Sequence, residues 1–120
     1  VMAIDLRSRM PILTNRVGGL SGPAIKPIAI RCVYDVCKAT EGKIPIIGTG
    51  GIMTGEDAIE MIIAGAWLVG IGSGVAYRGE KIFNLVCDEM KAWCEKEGVK
   101  DIDELRGSIF GKNAFSKSPL

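Results

Sequence analysis

The chain has 120 residues, enough for one ordinary domain and too few for two. Hydrophobic residues make up 48% and charged residues 24%, the balance of a globular chain and not of a disordered one. A net charge of +1, with no block of like charges, points away from nucleic acid and from a membrane surface as partners.

Val1 to Leu6 alternates weakly, "RSRMP" follows, and Ile12 and Leu13 resume the apolar character, which predicts a short β-hairpin. Asn15 to Gly22, "NRVGGLSG", is a glycine-rich loop. A helix is predicted from about Pro23, a residue suited to a first helical turn. Ile25, Ile28, Ala29, Cys32, Val33 and Val36 have the spacing of one buried helical face. Lys26, Arg31, Asp35 and Lys38 fall mostly off that stripe and are expected in solvent, and Gly42 ends the unit.

"IPIIG", Ile44 to Gly48, is continuously apolar, as a parallel strand buried on both faces would be. Thr54 and Asp57 have the form of a capping box, opening a helix that runs to about Ala64. Gly65 is placed for a left-handed C-terminal turn. "WLVGIG", Trp67 to Gly72, reads as a second strand. The uncharged run that contains it is broken by glycines and is rejected as a membrane span. A loop is expected after Gly74, then a helix from Gly79 or Glu80 to about Glu97. Ile82, Phe83, Val86, Met90, Trp93 and Cys94 would form its inner face, and Gly98 would stop it. Asp101 and Glu104 frame a last short helix, closed by Gly107. The tail "KNAFSKSPL" has little pattern.

Cys32, Cys37, Cys87 and Cys94 each fall in a predicted amphipathic helix and are expected to be reduced, buried or half-buried thiols. They contain no C-x-x-C pair and the chain has no histidine, so no metal ligand set is assigned. The lack of histidine also excludes Ser-His and Cys-His nucleophile pairs within the chain.

The element order is glycine loop–helix, strand–glycine–helix, strand–glycine–helix. Gly48 and Gly50 recur 22 residues later as Gly70 and Gly72, and Gly55–Glu56 recurs 24 residues later as Gly79–Glu80. Such alternation means parallel strands with helical crossovers, in an open doubly wound sheet or in part of an eight-fold barrel. A dinucleotide fingerprint would need glycine where Met53 and Val75 stand, and no Walker loop fits. Glycines at two successive strand ends match the phosphate sites that barrels build after strands seven and eight, where backbone N–H groups and helix N-termini face the anion. The alternative is tight strand-to-helix turns with no ligand.

"NRVGGLSGPAIKPIAIRCVYDV", "IPIIGTGGIMTGEDAIEMIIAGA" and "VGIGSG" resemble the C-terminal part of class 1 dihydroorotate dehydrogenases, most closely the NAD-linked 1B type. The resemblance runs from about Met2 to Gly107. It implies an α/β fold: about three β/α units from the C-terminal portion of a TIM (β/α)₈ barrel, with residues 1–107 in the barrel and 108–120 as a tail. It implies FMN as cofactor, oxidation of dihydroorotate to orotate in pyrimidine biosynthesis, and a cytoplasmic setting. It further implies a partner subunit carrying FAD and an iron–sulfur cluster, and a homo-oligomer of the catalytic subunit.

Matched position by position, the resemblance places FMN contacts at Gly22, at Gly50 and Gly51, and at Gly72 and Ser73, where the family usually has glycine then threonine. The family's base, the lysine beside its flavin and most of its orotate-binding asparagines lie upstream of Val1, so no catalytic residue is assigned. These residues alone are therefore expected to be inactive. Alternatives are a dihydropyrimidine dehydrogenase-like flavin barrel, a non-redox phosphate-binding barrel enzyme, and an inactive half-barrel.

Overall fold

The computed structural model describes residues 1–111 and 114, so most of the patternless tail lies outside the described residues. Strand β1 (Ile4–Asp5) pairs antiparallel with β2 (Met10–Pro11), the expected hairpin. Asp5 shapes its turn, accepting the Arg7 and Ser8 N–H groups (both 3.2 Å) and the Ser8 hydroxyl (2.6 Å). A 3₁₀ turn (Pro23–Ile25) then leads into helix α1 (Lys26–Thr40).

Strand β3 (Ile47–Thr49) runs parallel to β4 (Leu68–Gly70), in the register Ile47 to Leu68 and Gly48 to Val69. Helix α2 (Gly55–Ile63) joins them, the crossover that parallel pairing requires. The Thr54–Asp57 capping box is present, with both reciprocal bonds made. Beyond α2, the Gly65 N–H donates to Ile62 O and the Ala66 N–H to Met61 O. These bonds satisfy carbonyls the helix leaves open.

One short helix differs from expectation. Helix α3 (Ser73–Arg78) forms where a loop was predicted, and α4 (Ile82–Glu97) follows it. Gly72 precedes α3 without a side-chain cap, so the local signal that marks α2 is missing here. Gly98, at φ 70°, ends α4 as expected.

The core lies between the helices and one face of the β3–β4 pair. Ile52, Ala58, Met61, Ala66, Ile82 and Val86 form its centre. Along α1 the apolar period is right but its register is displaced by one residue. Val33 and Cys37 are buried, with Ala29, Ile30 and Tyr34 beside the core, whereas Ile28, Cys32 and Val36 are exposed. Contact with the sheet and α2, not periodicity alone, sets which stripe turns inward. Phe83 of α4 is likewise exposed, while Ile82 and Val86 are buried.

The expectation of strands buried on both faces also fails. Gly48 faces the helices, where a Cβ would lie 3.0 Å from Ala66 Cβ and 3.2 Å from Met61 Sδ. Alternation turns Ile47 and its partner Leu68 to the other face. Nothing in the described chain covers that face, and both are about two-thirds exposed (65% and 64%). The radius of gyration, 17.2 Å, exceeds the roughly 13.6 Å of a compact chain of this length.

Residues 102–110 fold back across the lower end of this layer. The Gly107 N–H donates to Ile62 O (3.0 Å), the Arg106 guanidinium lies 4.0 Å above the Trp67 ring, and Phe110 stacks on Tyr34 with centroids 4.7 Å apart. Of the cysteines, Cys37 is buried and Cys94 half-buried, but Cys32 and Cys87 are exposed; all four are free. The two exposed thiols lie on the faces of α1 and α4 that pack against nothing in the described chain.

Ile82 is fully buried and its Cδ1 closes against Gly74 at the start of α3. Ile82→Ala is expected to destabilise the chain by about 2–5 kcal/mol, read as a lower urea midpoint with an unchanged slope.

Candidate functional site

Three turns meet at the C-terminal ends of β3 and β4. They are Ser21–Gly22 before the 3₁₀ turn that leads into α1, Gly50–Thr54 between β3 and α2, and Gly72–Ser73 at the start of α3. A cavity of about 500 Å³ opens among them, within the size range of small-molecule sites. Its lining includes Ser21, Thr49, Gly50, Gly51, Gly72 and Ser73. Gly22 is buried beside the cavity and does not line it; its neighbour Ser21 does.

The glycines have different physical reasons. Gly51 has φ 74°, and a Cβ there would lie 2.8 Å from both Gly22 O and Lys26 Cβ. Gly50 has φ 137°, and its Cβ would lie 2.6 Å from Ala29 Cβ. Both residues are thus required by backbone conformation and by the close seating of α1 on the end of β3. Their missing side chains would point at α1 and at the turn that precedes it. Gly72 differs, because a Cβ there meets nothing within 4 Å and its φ is −110°.

The cavity's chemistry suits an anion held by neutral donors. Among the described residues its lining contains no carboxylate and no basic side chain, but carries the hydroxyls of Ser21, Thr49 and Ser73. The first N–H groups of a helix have no intrahelical partner, and those of α3 begin at Ser73. A second cavity of about 330 Å³, between α2 and α4, is lined by Glu56 and Glu89 with Lys96 and has no such turn. The first cavity therefore fits a phosphate group better than the second.

Four charged residues that sequence reasoning did not single out for the site hold the turn after β3. Asp57 Oδ2 accepts the N–H groups of Met53 (2.8 Å) and Thr54 (2.9 Å), while Oδ1 accepts Lys26 Nζ (2.6 Å). Lys26 also pairs with Glu60 (2.6 Å), so it is not the solvated residue expected from its position off the stripe. Glu89 Oε2 accepts the Gly55 N–H (2.7 Å), and Oε1 accepts Arg78 (2.7 Å). Arg78 also donates to Met53 O (2.7 Å).

Burial alone would raise the Asp57 pKa, but the bonds from Lys26, Met53 and Thr54 outweigh it and hold it below the ordinary aspartate value. The Arg78 bond, then the Gly55 N–H, lowers that of Glu89. Lys26 is raised by its bonds to Asp57 and Glu60. Among the described residues no cluster of side chains could hold a metal ion, and no helix is long and apolar enough to cross a membrane.

The dihydroorotate dehydrogenase family model matches residues 1–93. The chain belongs to the dihydroorotate dehydrogenase family. Over 106 residues it is 53% identical to the catalytic subunit of dihydroorotate dehydrogenase B (NAD(+)) of Methanocaldococcus jannaschii, a match covering 88% of this chain and 34% of that protein. The corresponding subunit of Alkaliphilus metalliredigens is 47% identical over 108 residues, covering 90% and 35%. The chain thus spans about a third of the length of these relatives. The ligand-free dihydroorotate dehydrogenase of Eimeria tenella superposes with a TM-score of 0.74 at 33% identity, covering 89% of this chain and 30% of that one.

Asp57 is ionised at neutral pH with a lowered pKa, so its contribution is complete above the ordinary aspartate value and is lost as pH falls through the lowered one. Asp57→Asn is expected to cost about 1–3 kcal/mol at pH 7. Urea unfolding at a series of pH values should show the variant losing less stability than the parent below about pH 4.

Proposed function

We propose that this chain is the C-terminal part of the catalytic subunit of an FMN-dependent, NAD-linked dihydroorotate dehydrogenase, and that its three turns grip the FMN phosphate. Residues 1–107 would complete a (β/α)₈ barrel and 108–120 would form a tail. The open face bearing Ile47 and Leu68 supports that reading, because barrel strands bury a layer of side chains on the side away from the helices. The catalytic base, most substrate contacts and most of the flavin pocket would be supplied by the rest of the barrel.

The observation that carries the proposal is the cavity where the three turns meet, free of carboxylates and open at Gly72. Gly51, Gly72 and Ser73 would offer backbone N–H groups and Ser73 its hydroxyl, with the Ser21–Gly22 turn closing the far side. FMN supplies the redox chemistry when bound; this chain's residues orient it and hold its charge. The reaction would be oxidation of dihydroorotate to orotate in pyrimidine biosynthesis. The relatives' designation as a catalytic subunit supports a separate electron-transfer subunit, which would carry FAD and an iron–sulfur cluster. A homo-oligomer and a cytoplasmic setting accompany the same reading.

Gly72→Ala and Ser73→Ala test it in the full-length catalytic subunit. The first adds a methyl group where the cavity is open; the second removes a hydroxyl. Each is expected to weaken FMN binding by about tenfold, roughly one charge-assisted hydrogen bond, without weakening riboflavin, which lacks the phosphate. Parental FMN affinity in both variants would overturn the proposed site.

A further inference from the structure

Capping explains only part of the network around residues 53–55. A capping box accounts for the bond between Asp57 and its own helix start. It does not account for Lys26, 31 residues away, on the same carboxylate, nor for Glu89, 34 residues away, on the Gly55 N–H. Nor does it account for Arg78 reaching Met53 O from the end of α3.

The two carboxylates are alike in pairing a cation with backbone N–H. Asp57 takes Lys26 on Oδ1 and the Met53 and Thr54 N–H groups on Oδ2, while Glu89 takes Arg78 on both oxygens and the Gly55 N–H on Oε2. Their cations come from the two elements that carry the remaining turns. Lys26 begins α1, one 3₁₀ turn after Gly22, and a Cβ on Gly51 would touch it. Arg78 ends α3, whose first residue is Ser73. The turn after β3 is therefore tied to one neighbouring turn through Lys26–Asp57 and to the other through Arg78–Glu89.

We infer that Asp57 with Lys26 and Glu89 with Arg78 are positioning residues that fix the spacing of the three phosphate-binding turns. None of the four lines the cavity. They act on the anion only through the backbone they hold. Arg78 suits its role because a planar guanidinium can bond Met53 O and both Glu89 oxygens at once (2.7, 3.3 and 2.7 Å). This inference rests on the phosphate site proposed above.

The test uses the full-length catalytic subunit carrying Glu89→Gln, Arg78→Met or both, with affinities measured for FMN and for riboflavin. The expected result is a loss of about tenfold for FMN with riboflavin changed by less than about twofold, and a double variant little worse than either single one. A parallel loss of both flavins, or an unchanged FMN affinity, would overturn the inference. Should Glu89→Gln not fold, Arg78→Lys keeps the cation and loses the planar fork, and is judged by the same two results. If Gly72→Ala and Ser73→Ala weaken FMN while these variants do not, the inference alone fails. If none of them matters, the phosphate site itself fails.

Discussion

The backbone between β3 and α2 exposes N–H groups at Met53, Thr54 and Gly55 that no ladder or helix satisfies, and two carboxylates take all three. The rest of the site depends on that arrangement. Unpaired amides beside a buried core would be costly, and water would otherwise compete for them. Asp57 and Glu89 remove that cost while remaining paired with Lys26 and Arg78, so neither charge is left alone in a half-buried setting. The turn is thereby stiff before any ligand arrives, and a stiff set of donors loses less entropy on binding than a loose one.

In the same region packing constrains some of the glycines and not others. Gly50 and Gly51 let α1 sit directly on the end of β3, with Gly22 O and Ala29 Cβ in the space that side chains would need. Gly72 has no such neighbour. Placing α1 this close aligns Ser21 with Thr49 and Ser73 around one cavity. The cavity is thus a consequence of how the helix seats, and only its Gly72 edge is free of that constraint.

Much of this was legible in the residues, and what was not has physical causes. The Thr54–Asp57 cap and the end of α4 at Gly98 are encoded within a few positions of where they act, and the parallel pairing of β3 with β4 follows from the strand–helix–strand order. Helix α3 was missed because "SGVAYR" is short and uncapped, with glycine on both sides. The one-residue displacement of the α1 stripe was missed because two apolar stripes lie side by side on that helix, and only contact with α2 and β3 chooses between them. Arg78–Glu89 and Lys26–Asp57 link separate elements, and no local pattern announces such pairs. The glycines pointed to the turns around this cavity, but the packing of Gly50 and Gly51 against Ala29 and Lys26 is visible only in the structure.

Family membership and the open face at Ile47 and Leu68 give the cavity its context: it lies at the mouth of strands whose other face nothing in the described chain covers, and the proposal places the FMN phosphate there. The most direct measurement is a crystal structure of the full-length catalytic subunit with FMN bound. The account predicts the FMN phosphate in this cavity, its oxygens accepting hydrogen bonds from the Gly51, Gly72 and Ser73 backbone, with the Arg78–Glu89 and Lys26–Asp57 pairs intact beneath. A phosphate bound elsewhere, with these three turns engaging no part of the cofactor, would contradict it.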